Sequence, residues 1–123
     1  MKVLFVGAGK KPAVKEIDGT LESMQDLVGG LIELIYPFEE PVGLVCHEEA
    51  KLVGKPLNRG IYDQETGQLL DIISGDFFIC GAPEDSGELV SLTEEQIKKY
   101  QKVYACPEIF FLSEGRLMAV KGL

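Results

Sequence analysis

Short apolar runs and period-two alternation open the chain. Residues 2–6 are apolar after Lys2, residues 13–18 alternate, and turn composition from Gly7 to Pro12 joins them, which predicts a β-hairpin. The period changes after Asp18-Gly19: Leu21, Met24, Leu27 and Val28 fall at helical spacing and form one apolar stripe. Thr20 is placed to cap that helix, Glu22 adds negative charge where the helix dipole favours it, and Gly29-Gly30 supplies a left-handed residue to end it. Strand patterning resumes at residues 31–36 and 42–46, which pair back across a Glu39-Glu40-Pro41 turn. Residues 69–73 and 76–80 flank Ser74-Gly75 as one bent strand or two.

The sharpest local signal lies further on. Thr93 with Gln96 makes a capping box, and Leu92 with Ile97 a hydrophobic staple. Ile97, Tyr100, Val103 and Tyr104 then face inward, Lys98, Lys99 and Lys102 face water, and Pro107 closes the helix. Residues 109–112 and 116–120 form a last hairpin about Ser113-Glu114-Gly115. Strands come in adjacent runs, not in strict alternation with helices. The expected architecture is therefore one α+β domain over residues 1–123, a mainly antiparallel β-sheet with two helices packed on one face. Residues 48–68 are polar and broken by Pro56, Gly60 and Gly67, which reads as a surface excursion with some local structure.

Hydrophobic residues make up 46% of 123, enough for a core without disulfides or metals. Twenty acids against 12 Lys and Arg give a net charge of −8, which disfavours direct nucleic-acid binding. The apolar start is too short for a signal peptide and no run approaches a membrane span, so the expectation is a cytoplasmic protein that does not engage membranes. Cys46, Cys80 and Cys106 are irregularly spaced and read as reduced thiols, with neither metal nor cofactor expected. Gly7-Ala8-Gly9-Lys10 lacks the spacing of a phosphate loop and is taken as a turn. His47 is the one histidine, and its neighbour Cys46 projects to the opposite face of a strand, so the two cannot share a proton. Asp63 to Gly67 reads as a hairpin turn in preference to a cation loop. No constellation for catalysis emerges, and an enzyme is not expected.

One stretch stands apart in charge. From Lys51 to Tyr62 there is no acid, and Lys51, Lys55 and Arg59 recur at every fourth residue beside Asn58. Lys51, Lys55, Asn58 and Arg59 are therefore the candidate ligand-binding residues, with Arg59 the two-pronged donor to a phosphate or carboxylate. The preferred competing reading pairs Arg59 with Asp63 or Asp71, which merely pins the loop.

Glu16 to Gly30 forms one familiar block, and Glu48 to Arg59, completed by Asp71 to Phe78, a second. Together they resemble domain-of-unknown-function family 3846, found in Firmicutes, their conjugative elements and phages. The resemblance spans about residues 1–104 and leaves a C-terminal hairpin at about 107–121. Where the family tends to read Asn-Glu-Glu-Gly, this chain has His47-Glu48-Glu49-Ala50, which argues against a left-handed residue at position 50. The resemblance implies no activity, only the company of mobile elements. It supports the expectation of a non-catalytic binding or inhibitor protein acting on a host defence or replication component. The alternative is a sponge for an anionic, nucleotide-like ligand held by the Lys51–Arg59 stretch. Phe110-Phe111 reads either as core or as the surface of a homodimer.

Overall fold

The computed structural model describes residues 1–122. Strands β1 (Lys2–Val6), β2 (Ala13–Glu16), β3 (Ile32–Ile35), β4 (Val42–His47) and β7 (Phe77–Gly81) form a five-stranded sheet in the order β2-β1-β7-β4-β3. Every neighbouring pair in it is antiparallel. Register lines up Leu4, Ile79 and Leu44 across the three central strands, and Phe5, Phe78 and Val45 one residue along on the opposite face. Strands β5 (Leu57–Tyr62) and β6 (Leu69–Ser74) make a separate, bulged ribbon, and β8 (Glu108–Ser113) and β9 (Arg116–Lys121) a terminal one.

Helix α1 (Leu21–Val28) begins on Thr20, whose hydroxyl accepts from the Ser23 N–H at 3.1 Å, and ends on Gly29 at φ 85°. Helix α2 (Glu94–Val103) carries the full capping box between Thr93 and Gln96. The two helices lie on opposite faces of the sheet, which corrects the expectation that they share one. Met24 and Val28 of α1 pack with Val3, Val45, Phe78 and Cys80, whereas Ile97 and Tyr100 of α2 pack with Leu4, Leu44, Phe77 and Ile79. The physical reason is visible in β4 and β7, which are apolar at consecutive positions and buried at every position but His47. A strand that is apolar on both sides needs cover on both sides.

Ile61 of β5 and Ile73 of β6 complete the core beneath α2. Residues 48–68 are thus only in part the surface excursion that their polarity suggests. Ala50 is buried and does not take a positive φ; the left-handed residue of that turn is Gly54. Among the described residues, no helix is long and apolar enough to cross a membrane.

Candidate ligand-binding site

The four basic-stretch candidates do not converge on a surface. Lys51 is exposed and pairs with Asp71 at 3.1 Å. Lys55 is exposed too, and its ammonium reaches the end of α1, within 3.9 Å of where a side chain on Gly29 would begin. There it meets the negative end of the helix dipole. Asn58 and Arg59 lie in β5 and are only 1% exposed. The Asn58 amide donates to the carbonyls of Val6 and Gly75, both at 2.9 Å, while its oxygen accepts from Arg59 at 2.8 Å. The Arg59 guanidinium also donates to the carbonyls of Lys10 and Tyr104.

Arg59 therefore pins the fold, but through carbonyl groups; neither Asp63 nor Asp71 is its partner. It joins the β1–β2 turn, β5 and the C-terminal end of α2, where the Tyr104 carbonyl gathers dipole charge. Burial pulls the Arg59 pKa down from its usual value, and the nearby Glu108 opposes that shift. Its Nε is buried without a partner among the described residues.

A different site forms beyond Arg59, where β5, α2 and the terminal hairpin meet. An open cavity of about 650 Å³ lies there, within the ~300–1,000 Å³ typical of small-molecule pockets. Phe38, Tyr62, Tyr100 and Tyr104 supply aromatic walls, Lys99 and Val103 line the α2 side, and Ala119 and Lys121 close it from β9. Phe38 and Tyr100 pack with ring centres 4.7 Å apart and planes tilted by 53°. Gly60 makes the wall possible: a Cβ there would stand 2.9 Å from the Tyr62 ring and 2.6 Å from Leu69.

Two phenol–carboxylate pairs hold the walls in place. Tyr62 donates to one oxygen of Glu108, whose other oxygen accepts from the Gly60 N–H at 3.1 Å. Tyr100 donates to Glu40 at 2.6 Å, and Lys99 meets the other Glu40 oxygen at 2.9 Å. Burial, then the bond to its carboxylate, pushes each of these two tyrosines above the usual phenol range. Tyr104 rises as well, chiefly through burial. The Tyr100 hydroxyl draws the Glu40 carboxyl below its usual range, against the effect of burial, with Lys99 assisting. Asp63 is lowered by the backbone N–H groups of Thr66 and Glu65, so the 63–67 segment is the turn that the sequence suggests. The Tyr62 and Tyr100 phenols are thus held as donors to carboxylates along the wall.

Cysteine and histidine chemistry lies elsewhere. Cys46 and Cys80 are buried free thiols, pushed by burial to about 11 and about 12, and Cys106 is free and exposed. His47 accepts from the Glu49 N–H at 3.0 Å. Among the described residues, no three His, Cys, Asp or Glu side chains gather as a metal site would require. The cavity is hidden in the sequence because its walls are far apart in the chain. Tyr100 on α2 and Tyr104 at its C-cap are its local signal, since two inward phenols need polar partners.

A family described as a domain of unknown function (DUF3846) matches residues 1–105. No curated protein and no solved structure matches the chain. The matched span takes in both helices and the five-stranded sheet and stops before β8. Tyr62 and Tyr100 fall inside it, and Glu108, Ala119 and Lys121 outside it.

Proposed function

The chain belongs to the DUF3846 family, and we propose that it is a non-catalytic binding protein that holds a small molecule in the cavity between β5, α2 and the terminal hairpin. The aromatic-lined cavity itself carries the reading: it has ligand dimensions, with polar groups held at fixed positions on an apolar wall. This moves the small-molecule reading of the sequence away from Asn58 and Arg59, whose side chains are spent on the fold. Thermal unfolding against a metabolite and nucleotide panel tests it. At least one compound should raise Tm in the wild type and not in Val103→Trp, which fills the cavity from an exposed position on α2. If no compound shifts the wild type, or if the variant shifts equally, the reading falls.

A second reading is favoured by the outer face of the terminal hairpin, where Ile109, Phe111, Met118 and Val120 are all exposed. Such a face suits a protein partner. In this reading the chain is a cytoplasmic accessory factor of a mobile element or phage that acts on a host defence or replication protein. Crosslinking in a host should trap one partner with the wild type and lose it with Phe111→Ser. A partner retained by that variant would exclude the hairpin as its docking surface.

A further inference from the structure

The charged groups around the cavity are unequally engaged. Each carboxylate already has donors. Glu40 is bound by Tyr100 and Lys99, Glu108 by Tyr62 and the Gly60 N–H, and Asp63 by the N–H groups of Glu65 and Thr66. Lys99 is likewise committed to Glu40. Lys121 is not: it forms no ion pair among the described residues.

The register of the hairpin explains why. Lys121 stands directly opposite Glu108 across β8 and β9, an arrangement in which opposite charges ordinarily pair along a sheet face. The Glu108 carboxylate is turned instead toward β5, where Tyr62 and Gly60 take both of its oxygens. Lys121 thus lines the cavity with its cross-strand partner withdrawn. An ammonium at the edge of an apolar pocket, next to carboxylates already satisfied, favours a negatively charged guest. The walls define the rest of that guest. Phe38, Tyr62 and Tyr104 offer rings that stack on flat, weakly polar molecules, and the pocket is open enough to leave a charged end near water.

We propose that the cavity selects a flat aromatic molecule bearing one negatively charged group, with its ring among the tyrosines and its anion met by Lys121. The proposal rests on the reading of the cavity as a ligand site and adds the chemical class of the ligand. It also gives the hairpin, which lies beyond the family match, a part in specificity.

Two dyes of similar shape test it on the full chain: anilinonaphthalene sulfonate, which is anionic, and N-phenyl-1-naphthylamine, which is neutral. Both should bind the wild type at a single saturable site and fail with Val103→Trp. Lys121→Glu should weaken the sulfonate by about tenfold or more. The same change should leave the neutral dye within about twofold, and Lys121→Arg should keep both. Phe111→Ser, on the outer face, should alter neither. If Lys121→Glu leaves the sulfonate unchanged, or weakens both dyes alike, the anionic class is wrong while the cavity stands. If Val103→Trp binds both dyes as the wild type does, or the wild type binds neither, the cavity reading and this proposal fall together.

Discussion

The central sheet and the terminal hairpin are built from equally apolar strands, and they end in opposite circumstances. All five residues of β7 are buried, with α1 over one face and α2 over the other. In β8 and β9 no residue is fully buried, and Ile109 and Leu112 are 60% and 74% exposed. The difference lies in cover, not in strand composition. A two-stranded ribbon has little face to bury on its own and depends on what it leans against. Here the inner face, with Glu108, Ala119 and Lys121, leans on the cavity, and Ile109, Phe111, Met118 and Val120 of the outer face stand exposed. Phe110 and Phe111, adjacent in sequence, fall on opposite sides of this divide. Phe110 is half-buried and pairs with Ala119 on the inner face, and Phe111 stands exposed on the outer one.

Truncating one phenylalanine in each region should give the widest contrast. Phe78→Ala empties a fully buried position between α1 and the sheet, and should cost about 3–5 kcal/mol in urea unfolding. A loss under ~1 kcal/mol would mean that the sheet can collapse around the vacancy. The next effect is electrostatic and belongs to the core side. Glu40 is ionised more easily folded than unfolded, so its contribution is present above the ordinary glutamate range and is lost as pH falls through its lowered value. Glu40→Gln should therefore lower stability near neutral pH and flatten its acid limb, as read from urea midpoints across pH; parallel curves for the two proteins would contradict the Tyr100–Glu40 seam. The smallest effect is expected on the hairpin, where Phe111→Ser should change stability by no more than about 0.5 kcal/mol. A larger loss would show that the outer face is covered in solution.

What could be read from the sequence follows the range of the interactions. Thr20, Gly29 and the Thr93–Gln96 box act within one helical turn, and each stands where its spacing placed it. The tight hairpin at Glu114-Gly115 is equally local, since both residues adopt the positive φ that such turns demand. The distribution of the helices was harder, because two-sided burial shows only as missing alternation in β4 and β7. Hardest was β5. Asn58 and Arg59 look like a surface grip because their types are polar, yet the carbonyl groups of Val6, Lys10, Gly75 and Tyr104, contributed from across the chain, draw them inside. The cavity shares that difficulty: Tyr62 and Glu108 are 46 positions apart, and only the folded chain introduces them.

The cysteines give the molecule a built-in point of attachment for chemistry from outside. Two thiols are shielded by the core and held well above neutral pH, and the third, Cys106, stands in the open between α2 and β8. Only a thiolate that solvent can reach is alkylated readily. A maleimide dye should therefore label the native protein once, at the joint from which the hairpin hangs, and report on that joint without any residue being replaced.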